Sequence, residues 1–446
     1  MTAVLLNPLT LVLGCMCIQW VTLGSVGPFS VKLPYLVLGL VMIYAASTPR
    51  RVASCWLFVR QNMTWVAAFG VYLILLTAAL YGSEGQNMPL RQAFYLLASI
   101  AFAGSLATTR DVRSVVRTGA GLGLALFVLV IEILARTIGL SWIDAIVQFV
   151  RSGDLQFVIY KFFRPIFNSL DRSADATVVA SQKNAIAVCV LTAALLFRSG
   201  YRKARPDFIG IAVLGAALIL LLLLNTRSVL IVAGVSIVLA TLMSAIMRPQ
   251  EATGLLLKGL AALAIVAAGV SYTQAEDPVL NTMSDRFSFE DQSTASRVLQ
   301  YEAAVEKIKE HPLIGNGYFE LDGRPIHNLF LSSWVHAGLA AFLLVIVFYL
   351  VLLGRWLSIL YTVMSYPERW VIPIAFEWIA PLPLLPLFRV WLSGDGGHLF
   401  LGEWLALSAF LGIVLANHVK RLTTARSLSA EVSPRPTHTP SLRPAT

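Results

Sequence analysis

Apolar runs of about 20 residues, the length a helix needs to cross the hydrocarbon core of a bilayer, follow one another along almost the whole chain. They occupy 3–24, 31–47, 64–81, 92–108, 118–140, 182–198, 207–225, 227–247, 255–274, 327–353, 369–392 and 399–417. Only 13% of the residues are charged, against about 25% in soluble domains, so a water-soluble fold is excluded. The expected class is an all-α polytopic membrane protein with about twelve transmembrane helices. The first run has no basic stretch before it and no small-residue cleavage site, so it reads as a retained span rather than a cleaved signal. Cys15, Cys17, Cys55 and Cys189 lie in or beside apolar runs. That suits structural thiols better than a disulfide framework or a metal site.

Basic residues orient the spans, because Lys and Arg in short loops collect on the cytoplasmic side. Arg50, Arg51 and Arg60 follow the second run; Arg110, Arg113 and Arg117 follow the fourth; Arg198, Arg202, Lys203 and Arg205 follow the sixth. The intervening short loops carry only Lys32 and Arg91, and Lys420-Arg421 closes the last run. Both termini are thus expected in the cytoplasm. Segments 141–181 and 273–326 fall on the opposite face, together with the tight turn that carries Arg227. In 141–181, Arg151, Lys161, Arg164 and Arg172 stand among aromatics, a mixture suited to lying along the interface. From 423 onward the chain is basic and rich in Ser, Pro and Thr, which predicts a disordered cytoplasmic tail. The plan is nine spans with that interfacial segment over 1–272, an extracytoplasmic helical loop over 273–326, three spans over 327–422 and a tail over 423–446.

The loop over 273–326 is the long hydrophilic interruption in this pattern. Ser293 or Thr294 can cap a helix running to about Glu310, with Val298, Tyr301, Val305 and Ile308 as its apolar stripe and Arg297 at the stripe's edge. The sequence HPLIGNG (311–317) then breaks the helix, and Gly315 and Gly317 let the chain turn back. His327-Asn328 follows at the start of the next apolar run.

Three residues stand out for chemistry. Arg227 opens the eighth run and Arg297 opens the loop helix. Each reads either as an interfacial or solvated charge or as an anion clamp, since a guanidinium presents forked, permanently charged donors to phosphate oxygens. His327 titrates near neutrality when unperturbed and can take a proton from a sugar hydroxyl. Arg286, Asn328, Tyr318 and Asn184 complete a substrate-binding set, and Tyr318 and Phe319 offer faces for stacking a sugar. His336, Glu132 and Glu377 are polar groups inside apolar runs, functional candidates of lower rank. Asp395 and His398 sit in the Gly-rich loop before the last run. No P-loop, dinucleotide fingerprint or HExxH spacing appears, so neither metal nor cofactor is expected, and no nucleic acid is an expected partner.

Thr226-Arg227-Ser228 at the start of a late span, Arg297 leading into HPLIGNG, and His327-Asn328 with Gly338 eleven residues after the histidine form an ordered set. Across roughly 180–355 the chain resembles the O-antigen ligase and O-antigen polymerase superfamily of bacterial inner-membrane glycosyltransferases. The resemblance implies a GT-C-like fold, a donor glycan on undecaprenyl diphosphate, an acceptor such as lipid A-core or a growing glycan, and a site facing the periplasm. It also implies roles: Arg227 and Arg297 on the leaving diphosphate, His327 on the acceptor. Within the superfamily the expectation leans to a ligase, with a polymerase as the alternative. A lipid-linked glycan flippase is the rival from another class, though the two halves of the chain show none of the self-similarity common in transporters.

Overall fold

A computed structural model describes residues 2–19, 22–26, 29–137, 139, 141, 144, 147, 151, 176–200, 208–224, 227–247, 292–321, 326, 328–389 and 399–432 of the 446. The architecture is helical. In chain order the helices are α1 (Thr2–Leu5), α2 (Pro8–Cys15), α3 (Leu33–Ala46), α4 (Pro49–Gln61), α5 (Met63–Leu80), α6 (Asn87–Ala107) and α7 (Val112–Thr137). They continue as α8 (Ala176–Ser199), α9 (Phe208–Leu224), α10 (Arg227–Met247), α11 (Gln292–Glu310), α12 (Leu329–Ser365), α13 (Phe376–Ile379) and α14 (Leu401–Val432).

Among the described residues six helices are long and apolar enough to cross a membrane, or seven if the bent α3–α4 pair is one span. The expected count of twelve is therefore not reached here, and the differences have local causes. The first run is not a single span. It breaks into α1, α2 and a short 3-10 turn, Met16–Ile18, and then an antiparallel hairpin of β1 (Thr22–Val26) and β2 (Phe29–Lys32). Run 369–392 also fails as a helix, because Pro373, Pro381, Pro383 and Pro386 remove donors and clash with the preceding turn, leaving only α13 and a π-turn over Leu385–Arg389. α3 and α4 meet at 106°, where Thr48 caps a new helix and Pro49 opens it. The last helix runs to Val432, so 423–432 is helical rather than the disordered tail expected. Run 255–274, most of segment 141–181 and loop residues 273–291 lie outside the described residues.

Packing is tight where side chains are small. Gly14 of α2 and Gly119 and Gly123 of α7 let those helices approach so closely that a Cβ at any of them would press on Leu122 or Leu13 within 2.7 Å, a use of small residues typical of membrane helix pairs. α6 packs along α14 and α5 along α12. Polar staples tie these layers: Gln92 of α6 donates to Leu399 O at 2.9 Å and accepts from Trp404 Nε1 at 3.0 Å. Large apolar side chains such as Ile43, Ile74, Leu242 and Leu350 point outward, as lipid-facing residues do. All four cysteines are free thiols.

Candidate functional site

α12 is two helices joined by a fold. Gly338 has φ 78° and ψ −173° within it, a conformation essentially confined to glycine. The rings of Phe330 and Tyr349 are 5.2 Å apart, whereas nineteen residues of straight helix would separate them by roughly 28 Å. Trp334 likewise stacks on Phe342 at 4.5 Å. Residues 329–337 thus double back along residues 339–365. The expected span beginning at 327 is corrected: the span starts after Gly338, and the preceding arm points back into the protein. Ser333 anchors it, its Oγ 3.2 Å from Tyr72 Oη on α5.

Folding a helix back leaves backbone groups without intrahelical partners. Here the HPLIGNG loop supplies them. Asn316 N donates to Val335 O at 2.6 Å, Gly317 N to His336 O at 3.1 Å, and Leu339 N donates to Pro312 O at 3.1 Å. Trp334 Nε1 adds a bond to Pro312 O at 2.8 Å. Gly315, at φ +80°, lies so close that a Cβ would stand 2.6 Å from Gly338 N. The two motifs that the sequence holds more than twenty residues apart are one structural unit.

His336 locks this unit from the side-chain direction. It is buried, its Nδ1 is 2.7 Å from Gly317 O, and its ring stacks on Tyr318 at 6.0 Å with planes 10° apart. Gly317 O only accepts, so Nδ1 carries the proton. Tyr318 in turn donates to Glu320. Burial first, then the Glu320 and Glu84 carboxylates, push its hydroxyl well above the ordinary tyrosine range, so it stays a neutral donor. His336→Leu is expected to cost about 1–3 kcal/mol by removing the donor to the part-buried Gly317 carbonyl. His336→Asn, which keeps a donor near the Nδ1 position, should lose much less. Thermal unfolding in detergent reads the difference.

Asn328 caps the arm, its Oδ1 accepting from Phe330 N at 2.9 Å and Leu331 N at 3.1 Å. That oxygen, expected on substrate, is committed to holding the start of the arm. Arg297 lies half-buried on α11, on the face that packs against α12. This face coincides with the expected stripe at Ile308 but not at Val298 and Val305. Val298 and Val305 are 49% and 42% exposed, while Gln300, Ala304 and Ile308 are buried; Ala304 is small enough to admit the arm closely. Arg227 is the first residue of α10, and Asn184 is partly exposed on α8. Arg286, His327, Asp395 and His398 lie outside the described residues. Of the lower-ranked polar groups, Glu132 pairs with Arg136 one turn on at 2.6 Å, and Glu377 is buried on α13.

One buried charge pair escaped the sequence reading. Arg389, from the π-turn, forms an ion pair with Glu403 of α14, and both side chains are 0% exposed. The second Glu403 oxygen accepts from Phe400 N at 2.7 Å, and the guanidinium lies 4.3 Å over the Phe400 ring. Tyr349, against which the arm packs, is within electrostatic range of both charges. The signal was available: an Arg and a Glu in adjacent apolar runs, each forbidding in isolation.

The fold and these polar groups define a multi-pass helical membrane protein with a folded-back arm held by α11 and the HPLIGNG loop. The family model described as O-Antigen ligase matches residues 210–346, a segment that takes in α10, α11, the HPLIGNG loop and the folded arm. The match supports membership of the O-antigen ligase superfamily, whose members are glycosyltransferase-like enzymes. No curated protein matches the chain.

Proposed function

We propose that the protein is an O-antigen ligase-type glycosyltransferase that moves a glycan from undecaprenyl diphosphate to a sugar hydroxyl, such as one on lipid A-core, at the periplasmic face of the inner membrane. The observation that carries this reading is the O-Antigen ligase match over the segment that joins Arg227, Arg297 and the capped arm. The acceptor oxygen attacks the anomeric carbon, the bond from that carbon to the diphosphate oxygen breaks, and the lipid diphosphate leaves with the electron pair. Charge therefore accumulates on phosphate oxygens, where preplaced cations act most strongly; Arg227 and Arg297 are assigned to them. The proton lost by the acceptor goes to His327. Arg286 and Tyr318 are assigned to substrate, Tyr318 as a stacking face held by His336, and Asn184 with them. The energy resides in the sugar–diphosphate bond, so the step as written calls on neither nucleotide nor metal.

The test is transfer by the purified protein in liposomes, given labelled lipid-linked glycan and a lipid A-core acceptor, beside analysis of lipopolysaccharide from a deletion strain. New glycosidic bonds to the acceptor, and long glycan stranded on the carrier in the deletion, are the expected results. Core capped by a single repeat would convert the assignment to a polymerase. Movement of labelled glycan across the bilayer without bond formation would replace it with a flippase. Arg297→Ala is expected to lower the transfer rate about 10²–10³-fold, the usual loss when one charge-stabilising donor is removed. Lys at 297 should restore only part, because the planar fork is gone.

A further inference from the structure

Two buried polar atoms flank the start of the folded arm and lack hydrogen-bond partners among the described residues. Gln300 is 2% exposed, on the α11 face that carries Arg297 one turn earlier and Ala304 one turn later. Its Oε1 finds no hydrogen-bond donor among the described residues. Tyr349 Oη is the second: buried, without a hydrogen-bond partner among the described residues, and on the ring that packs against Phe330 in the arm's first turn. Buried polar groups are nearly always satisfied, and each exception asks for an explanation.

The register of the two helices brings Gln300 to the same place. α11 and the arm run parallel, because both lead into the unit formed by residues 311–317 and Gly338. Ala304 and Ile308 of α11 form one apolar cluster with Leu331, Trp334 and Val335 of the arm. A step of one turn back along each helix, at 1.5 Å per residue, leads from Ala304 to Gln300 and from Leu331 to the arm's capped end at Asn328. Gln300 on one side and Tyr349 on the other thus stand level with the arm's first turn.

The chemistry of the two atoms selects a ligand. An amide oxygen only accepts, so a phosphate oxygen, which at neutral pH chiefly accepts as well, cannot satisfy it. A sugar hydroxyl both donates and accepts, and the N–H of an acetamido sugar donates. We infer that Gln300 and Tyr349 form a glycan-reading subsite at the start of the folded arm, one that binds the hydroxyl or acetamido groups of the sugar next to the diphosphate. The inference rests on the glycosyltransferase reading and adds to it a division of labour: arginines for the diphosphate, Gln300 and Tyr349 for the sugar. A site that hydrogen-bonds a substrate hydroxyl rejects analogues lacking it far more strongly than an apolar pocket can, so the pair is a specificity determinant.

The experiment measures binding of two probes to the full-length protein in nanodiscs: undecaprenyl diphosphate carrying one repeat unit, and sugar-free undecaprenyl diphosphate. Gln300→Leu and Tyr349→Phe are each expected to weaken the glycosylated probe about tenfold or more and to leave the sugar-free probe unchanged. Gln300→Glu, which keeps an acceptor oxygen, should lose less than Gln300→Leu. Neither Gln300→Leu nor Tyr349→Phe should lower the melting temperature of the empty protein, because neither removes a hydrogen bond. Equal binding of the glycosylated probe by wild type and Gln300→Leu would overturn the inference. So would a lowered melting temperature with unchanged binding, which would mean that an internal water satisfies these atoms. Transfer assays run in parallel keep the two ideas separate: a wild type that prefers the glycosylated probe but forms no bond overturns the transferase reading and leaves the sugar subsite standing.

Discussion

Gly338→Ala is expected to destroy transfer activity and to destabilise the protein by several kcal/mol. The backbone there, φ 78° and ψ −173°, costs a non-glycine residue about 1–3 kcal/mol in strain alone. An added Cβ would also overlap the carbonyl of Leu313, and rigid backbone on both sides gives it no room. The loop must withdraw, and with it go three backbone bonds: Asn316 N to Val335 O, Gly317 N to His336 O and Leu339 N to Pro312 O. If the chain escaped by straightening into one continuous helix, residue 328 would move to a point roughly 15 Å beyond position 338, on the opposite side from its present place. Activity is lost by either route. Gly315→Ala should fail in the same way, since its Cβ would meet Gly338 N at 2.6 Å. The double variant should be scarcely worse than either single one, because both break one unit. Gly354→Ala in the same helix supplies the contrast: nothing lies within 4 Å of its Cβ position, and a helical glycine replaced by alanine gains about 0.5–1 kcal/mol. Melting temperature and protease cleavage within 311–317 measure all four.

This fold was half visible in the chain. Hydrophobic length alone located α5, α6, α7, α10 and α14, since lipid demands the same signal from each. The same signal misled at 3–24 and 369–392. A window average registers the leucines of PLPLLPLF and is blind to the prolines that forbid a helix there. The fold at Gly338 was hidden for a different reason: an isolated glycine in an apolar run is ordinarily a tolerated helix residue, and only its contact with residues 312–315 shows otherwise. That contact is tertiary and leaves no local pattern. On α11 the expected stripe followed hydropathy, yet the packed face is chosen by size at Ala304 and carries the polar Gln300. The start of a helix just after Asn328 was legible because the onset of an apolar run is a local signal. Asn328 shows the gain from structure: its neighbour in sequence suggests chemistry, and its own oxygen caps the arm.

Arg389→Met is expected to destabilise the protein by about 3–5 kcal/mol, the cost of leaving a buried carboxylate without its counter-charge. Glu403 is 0% exposed and also accepts from Phe400 N, so water does not reach the carboxylate to replace the guanidinium. Glu403→Gln should be nearly as harmful through the stranded guanidinium, although the amide oxygen still accepts from Phe400 N. The double variant Arg389→Met/Glu403→Gln removes both charges and should recover most of the loss, because a buried pair contributes little beyond an apolar replacement of similar volume. A large positive coupling in the resulting double-mutant cycle, read from melting temperatures in detergent, is the expected signature. The double variant then decides why two charges were placed in a membrane interior at all. The pair joins the π-turn at 385–389 to the first turn of α14, beside the Gln92–Trp404 staple. If the double variant folds and transfers glycan at the wild-type rate, that join is a matter of packing, and apolar side chains serve it. If it folds and does not transfer, the field that Arg389 and Glu403 exert at Tyr349 belongs to the reaction site at the start of the arm.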